Sequence, residues 1–363
     1  MQAVKSDSTA PPPLSKAALM RELSTFARPS NKMGLLLFVR DYLLYWSLIA
    51  AVLFVPSMPL KILASVLVGI RLTSFYTLAH DASHRTLVAS RPLNWWLAML
   101  LGVPSFQNYR MWTHDHNMVH HPKTNGDHFD FYRPYSKKEF DSLSKFEQLM
   151  ERVYRAPNVV GLWLYFMIRW LPTRLSPNPR TPKTHRTIAW RYSLVLVGYH
   201  SLFVTMLCLA PGFSSISLTA SLLLGWILPL CVHTLISSAS LYLMHTHRKI
   251  PWFKGEISRT GDYAPELCST VFTLPDWLSK IVNNVYCHAV HHAHAGISSY
   301  HALEAQKHMN KLLGNRMVVE PMSLQGAIAT MKACKLYDFE KHQWLDFNGS
   351  PSASPINLSA RGA

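Results

Sequence analysis

The sequence predicts an all-α, multi-pass membrane protein with four transmembrane helices in two hairpins and a cytoplasmic helical cap that holds a di-metal site. Three observations lead to this prediction. Only 15% of the 363 residues are charged, against roughly 25% in soluble globular domains. Residues 192–247 contain no Asp, Glu, Lys or Arg. The 19 histidines fall largely into clusters that flank the predicted spans.

The uncharged stretch is too long for one span of about 20 residues but has the right length for two. Pro211 and Gly212 supply a turn within it. We therefore predict a hairpin of spans at about 190–210 and 218–244. His200 and His233 lie inside these spans and are interpreted as hydrogen-bonded interior groups.

An earlier hairpin is predicted at about 36–57 and 59–80, where the apolar stretches meet near Pro56 and Pro59. Arg71 interrupts its second span, and an arginine is costly in lipid unless it pairs or lies near the interface.

Two further apolar segments, residues 93–106 and 158–171, are too short to span and are interpreted as interfacial or re-entrant. The tryptophans that flank the spans and histidine clusters, Trp112 among them, are interpreted mainly as interface anchors.

The basic residues indicate which side of the membrane the large loops occupy. Residues 81–189 carry 15 Lys and Arg and the first 33 residues carry five, whereas the two hairpin turns carry only Lys61. By the positive-inside rule, residues 81–189 and 245–347 are cytoplasmic. The formal charge of +16 then faces anionic membrane lipid, and we expect no nucleic-acid partner because no binding motif is present.

Both ends of the chain have the composition of loose segments. Residues 1–30 are rich in Pro and Ser and lack the apolar core of a signal peptide, and residues 348–363 are rich in Ser, Pro and Gly. We expect both to be disordered, with residues 31–347 as the membrane domain. The absence of an organelle signal favours a bacterial inner membrane.

Three histidine clusters stand at the ends of the predicted spans. His80 and His84 are four residues apart, which places both imidazoles on one helical face. In residues 114–121 four histidines occur within eight positions, with His116 and His120 expected on one face. The third cluster is His-Ala-Val-His-His at residues 288–292, and His245 and His247 end the fourth span.

All of these clusters are predicted to meet on the same membrane face. Eight imidazoles in three clusters, with His245 as a ninth, can hold two metal ions. Neutral imidazole suits iron, zinc, copper and nickel, so the spacing alone does not select the metal.

At these residues the sequence resembles the integral-membrane fatty acid desaturase family, a non-haem di-iron superfamily that also contains hydroxylases and ketolases. The resemblance rests on the three clusters, on Leu-Met-His-Thr-His at residues 243–247 and on Tyr-His-Ala-Leu-Glu-Ala at residues 300–305. It covers roughly residues 70–310, and the coincidence of several spaced motifs makes it specific.

The resemblance implies a set of iron ligands and outer partners. The implied ligands are His80, His84, His116, His120, His121, His245, His288, His291 and His292. An extra histidine in the second cluster leaves the choice between His114 and His116 open. Possible outer partners, which hydrogen-bond to metal-bound imidazoles, are Asp81, His114, Asp127, His247 and Glu304.

The implied activity is that of an oxidoreductase in which two irons use O₂ to remove two hydrogens from a fatty acyl chain and form a C=C bond. The substrate would be an acyl lipid or an acyl thioester that enters from the membrane. A separate electron donor of the ferredoxin or cytochrome b5 type, with its reductase, is expected because the chain has no G-x-G-x-x-G or C-x₂-C motif.

The same histidine clusters would serve a hydroxylase, an acetylenase or a carotenoid oxygenase of the same superfamily, since only the product separates these activities. A histidine-rich metal transporter or a zinc-dependent membrane hydrolase is the alternative from another class. A transporter places its ionisable ligands near the bilayer midplane, whereas these clusters lie at and beyond the span ends.

Overall fold

The computed structural model describes residues 14–126, 131–177, 181–254 and 265–358. Within these ranges the chain forms sixteen α-helices and four short strands. In chain order the helices are α1 (Lys16–Leu23), α2 (Asn31–Phe54), α3 (Met58–Ser83), α4 (Arg91–Gly102), α5 (Tyr109–His114), α6 (Lys137–Ser142), α7 (Lys145–Tyr154), α8 (Val159–Tyr165), α9 (Pro172–Leu175), α10 (Lys183–Leu209), α11 (Leu218–Leu222), α12 (Leu228–His245), α13 (Asp276–Ile281), α14 (His288–Ala293), α15 (Ser299–Leu313) and α16 (Leu324–Ala333). The strands are β1 (Thr270–Thr273), β2 (Val318–Pro321), β3 (Leu336–Asp338) and β4 (Gln343–Leu345). The first two strands pair in parallel and the last two pair antiparallel.

Four helical segments are long and apolar enough to cross a membrane, which confirms the predicted all-α fold with four spans. They are Asn31–Phe54, Met58–Ser83, Lys183–Gly212 and Leu218–His245. The first begins five residues before its predicted start because Ser30 caps it, accepting a hydrogen bond from the Met33 N–H. The predicted start is too late because hydropathy detects the apolar centre of a helix but not its cap.

Helix α4 ends in a turn that lies between the third and fourth spans. His200 donates from Nε2 to the Val103 carbonyl at 3.2 Å, and His233 donates from Nε2 to the Ser105 carbonyl at 3.3 Å. Both histidines thus donate to carbonyls at the end of α4, as expected for hydrogen-bonded interior groups. Because both histidines belong to candidate spans, the turn after α4 lies against the helical bundle.

Helices α3 and α12 approach each other closely at Gly69. A Cβ atom at this position would lie 2.6 Å from the Val232 Cβ and 2.7 Å from the Pro229 carbonyl oxygen. Only glycine permits this approach, which lets the two spans run together to the ends that carry His80 and His245.

The segment before the first span is folded where the structure describes it, contrary to the predicted disordered arm at residues 1–30. Helix α1 buries Leu19 and Leu23 in a cluster with Val290, Ala302 and Met309. Its apolar residues are four apart and form a stripe that covers α14 and α15, the helices of the third histidine cluster.

The described part of the predicted disordered tail is also folded. The Ser352 N–H donates to the Trp344 carbonyl and the Ile356 N–H donates to the His342 carbonyl, each at 2.9 Å. Ile356 is buried against the β3–β4 hairpin. Backbone hydrogen bonds to a neighbouring strand thus order a segment whose composition alone indicates a loose chain.

Replacement of Leu23 by alanine tests the packing of α1. It should destabilise the protein by about 2–5 kcal/mol, because a fully buried leucine leaves a cavity. Thermal unfolding in detergent, followed by tryptophan fluorescence, measures the change. Met20→Ala, on the exposed side of the same helix, is the matched control and should shift stability by less than about 0.5 kcal/mol. Identical transitions for both variants would show that α1 does not pack as described.

Candidate metal centre

All nine histidines implied as ligands come together in two neighbouring groups. In each group the candidate ligand atoms all lie within 4.8 Å of one another. The first group is His80, His84, His116, His121 and His291, and the second is His120, His245, His288 and His292. Every member of the second group is buried, whereas His80, His84 and His121 are half-buried.

A π-helical segment, Asp115–His120, divides the second cluster between the two groups. His116 and His120 lie side by side as expected, with 5.2 Å between their ring centroids, but they belong to different groups, because a π-helix brings residues five apart into register. The His121 N–H donates to the His116 carbonyl, and the Nε2 atoms of these two residues are 3.1 Å apart. His120 therefore turns to the second group.

Helix α14 contributes ligand candidates to both groups from a single turn. The Nε2 atoms of His288 and His292, four residues apart, lie 2.9 Å from each other. His245 Nε2 lies 2.9 Å from His288 Nε2, and His291 Nε2 lies 2.9 Å from His121 Nε2. Since one helical turn serves both groups, α14 fixes the distance between them.

Several of the imidazoles make a polar contact through Nδ1, the nitrogen that faces away from the group. Their Nε2 atoms then point into the group. Asp81 Oδ1 lies 3.3 Å from His80 Nδ1, as expected for an outer partner. The Thr124 hydroxyl lies 3.2 Å from His292 Nδ1, and His245 Nδ1 donates to the Cys268 carbonyl at 3.4 Å. Such contacts fix the orientation and the tautomer of a metal-binding imidazole. The second-cluster motif includes Thr124, but its spacing gives no sign of this contact.

Three of the predicted outer partners lie outside both groups. His114 faces Asp115, with 3.1 Å between Nδ1 and Oδ1, so the structure brings His116 and not His114 into the first group.

His247 Nε2 lies 3.7 Å from a Glu320 carboxylate oxygen. Glu304 is exposed, because α15 turns its buried side toward α14. Asp127 lies outside the described residues.

Trp112 belongs to the tryptophans interpreted mainly as interface anchors, and the structure packs it against the first group. Its ring stacks on His116 with 4.3 Å between the ring centroids, and it is 2% exposed. Its Nε1 donates to the Tyr76 hydroxyl at 3.2 Å. Trp112 lies one helical turn before His116 in the sequence, and this spacing could have indicated that the two rings pack together.

The residues of the two groups fit a pair of bound metals. Two imidazole nitrogens bound to one metal at about 2.1 Å and at right angles would be about 3 Å apart, close to the observed Nε2 separations. Within the described residues, His80 Nε2 and His84 Nε2 are buried without a hydrogen-bond partner, which is costly unless a cation binds there. Every member supplies nitrogen, the donor suited to iron, copper and zinc.

Burial lowers the pKa of six of these imidazoles well below the ordinary value of 6.5, and neighbouring histidines lower it further. The six are His84, His116, His121, His288, His291 and His292. They are therefore neutral at pH 7, the form in which imidazole binds a metal.

An apolar cavity adjoins both groups. Its wall includes histidines of the first group and of the second group, and the remainder comes mainly from the ends of the second and fourth spans and from α15. The apolar lining includes Tyr76, Leu241, Met244, Val285, Ile297 and Ala302. A hydrocarbon chain could lie in this cavity with a methylene next to the two groups.

The depressed pKa values predict that the metal-free protein is labile in acid. Above about pH 6.5 these imidazoles are neutral in the folded and the unfolded chain, so they do not alter stability. Below that pH the unfolded chain binds protons that the folded chain excludes, and the free energy of unfolding falls. Melting temperatures of the metal-free protein in detergent, measured from pH 8 to 5, should stay level and then decline below about pH 6.5. A melting temperature that is constant down to pH 5 would contradict the burial of neutral imidazoles.

Comparison with known proteins agrees with the resemblance. A family model described as fatty acid desaturase matches residues 56–319, a segment that contains both histidine groups. A probable fatty acid desaturase of Sorghum bicolor is 24% identical over 259 residues, with 68% of this chain and 62% of that protein covered. The endoplasmic reticulum omega-3 fatty acid desaturase of Vigna radiata var. radiata is 22% identical, with 85% and 80% covered.

A third relative is the sn-1 acyl-lipid omega-3 desaturase (ferredoxin) of Synechocystis, which is 23% identical, with 66% of this chain and 65% of that protein covered. The chain thus spans slightly less than two thirds of the sorghum and Synechocystis relatives and four fifths of the Vigna relative. Because the family model covers most of its length, the chain belongs to the fatty acid desaturase family of oxidoreductases.

Proposed function

We propose that this protein is an O₂-dependent, membrane-bound acyl desaturase whose nine clustered histidines bind two irons. The apolar cavity that adjoins both histidine groups is the observation that carries the proposal. In the proposed reaction two vicinal hydrogens of an acyl chain, two electrons and two protons combine with O₂ to give a C=C bond and two molecules of water.

The chain's own residues would position the reactants. Two bound irons would supply the redox chemistry that an unactivated methylene requires and that no side chain provides. The nine imidazoles would hold the metals, and within the described ranges no carboxylate belongs to either group. The outer contacts of Asp81 and Thr124 orient two of the rings. The lining of Leu241, Met244 and Ile297 excludes water and aligns the acyl chain.

The proposed substrate is an acyl lipid or an acyl thioester that reaches the cavity from the membrane. The names of two relatives support this class, since one is an acyl-lipid desaturase and one an omega-3 fatty acid desaturase. The electrons would come from a separate ferredoxin or cytochrome b5 type donor, and the name of the Synechocystis relative includes ferredoxin. The cytoplasmic location of the large loops is a proposal that rests on charge bias alone.

The arrangement of the histidines argues against the transporter alternative. Both groups lie at and beyond the ends of the second and fourth spans. His200 and His233, which lie inside spans, bind backbone carbonyls and belong to neither group. A transport site at the bilayer midplane would need histidines such as these to bind the metal, but their ring nitrogens already donate to carbonyls.

Product analysis tests the proposal. The chain is expressed in a host together with a ferredoxin or cytochrome b5 donor and its reductase, and total fatty acids are analysed by gas chromatography–mass spectrometry. We expect an additional unsaturated acyl chain with the wild type and none with His120→Ala or His288→Ala. His301→Ala, outside both groups, is the matched control and should retain the product. A hydroxylated acid as the sole new product would contradict desaturation.

A cavity-filling variant separates substrate binding from metal binding. Ala302 is buried and lines the cavity, so Ala302→Leu should obstruct the acyl chain and reduce product formation at least tenfold, with no loss of bound iron. Glu304→Leu, on the exposed side of the same helix, should leave both product and iron unchanged. Full product formation by Ala302→Leu would place the acyl chain elsewhere.

A further inference from the structure

The arginine that interrupts the second span is buried and forms an ion pair with an aspartate of the first span. Asp41 is fully buried and Arg71 is 7% exposed. Arg71 Nη1 donates to Asp41 Oδ1 at 3.2 Å, and Arg40 Nε donates to the same oxygen at 2.8 Å. A buried ion pair is a weak source of stability, because the cost of desolvation offsets the attraction. The contacts that the pair makes with other residues therefore indicate its role better than its contribution to stability does.

The pair holds a turn that follows α13. Arg71 Nη2 donates to the Ile281 carbonyl at 2.6 Å, and Asn283 Nδ2 donates to Asp41 Oδ2 at 3.0 Å. Asn283 and the next residue, Asn284, have φ values of 51° and 54°, in the left-handed region that most side chains disfavour. The ion pair thus binds the residue that precedes the turn, Ile281, and a residue within it, Asn283.

Hydrogen bonds connect this turn to the first histidine group. Asn284 Nδ2 donates to the Ser299 carbonyl at 2.7 Å. The Ser299 N–H in turn donates to Asp81 Oδ2 at 2.5 Å, and the other oxygen of Asp81 lies 3.3 Å from His80 Nδ1. The orientation of His80 therefore depends on where the turn lies.

The turn also leads directly into the second group. The Cys287 N–H donates to the Asn284 carbonyl at 2.9 Å, and His288 follows at the start of α14. A displacement of the turn would therefore move α14, whose imidazoles belong to both groups.

We propose that Asp41 and Arg71 are positioning residues of the metal centre. Neither residue lines the cavity or belongs to a histidine group, and they act by holding Ile281 and Asn283 in place. This inference rests on the proposed metal site.

Titration of Co²⁺ into the metal-free, full-length protein in detergent provides the test, because the visible spectrum of bound Co²⁺ reports ligand geometry. The wild type should bind two ions. Arg71→Met should bind Co²⁺ at least tenfold more weakly and with an altered spectrum, because a displaced turn would disturb the outer contact between Asp81 and His80. Asn283→Gly removes the tie to Asp41 without leaving a buried charge, and glycine suits the backbone at φ 51°. It should show the same change.

Lys61→Met is the matched control. Lys61 is also a buried cation of α3, but it donates to the Val52 and Leu53 carbonyls near the opposite end of the helix from His80. Its variant should lose thermal stability and keep the wild-type Co²⁺ spectrum. The positioning role is overturned if Arg71→Met and Asn283→Gly bind Co²⁺ as the wild type does, or if Lys61→Met changes the spectrum equally. Failure of the wild type to bind Co²⁺ would instead refute the proposed metal site.

Discussion

The structure depends on the convergence of imidazole nitrogens in a buried space. His288 Nε2 lies 2.9 Å from the Nε2 atoms of both His245 and His292, so the three nitrogens cannot all carry hydrogens or all remain bare without repulsion. A shared cation resolves this conflict, and burial keeps His288 and His292 neutral so that they can bind one. The remaining features of the fold bring these rings together and shield them from water.

The two long spans α3 and α12 and the short helix α14 set the positions of most of the clustered imidazoles. The close contact at Gly69 aligns α3 with α12, and the single turn of α14 then joins the two histidine groups. Rigid elements hold ligands more accurately than loops do, and Asp81 and Thr124 orient individual rings. The buried Asp41–Arg71 pair fits the same arrangement, since it contributes little to the stability of the protein but restrains a turn next to the site.

Much of this arrangement could be predicted from the sequence, because charge depletion and histidine spacing are local signals. The four spans and the His80–His84 pair follow from hydropathy and helical periodicity. The division of His116 from His120 could not be predicted, because it depends on a π-helical segment that histidine spacing does not indicate. The packing of α1, and the burial of Trp112 against His116, likewise depend on distant residues that no local pattern reveals.

X-ray absorption spectroscopy at the iron edge, combined with metal analysis of the reconstituted protein, tests the central claim most directly. The account predicts two irons per chain with nitrogen neighbours at about 2.1 Å and the outer-shell scattering of imidazole rings. A protein that binds at most one iron, or whose irons lack imidazole scattering, would contradict it.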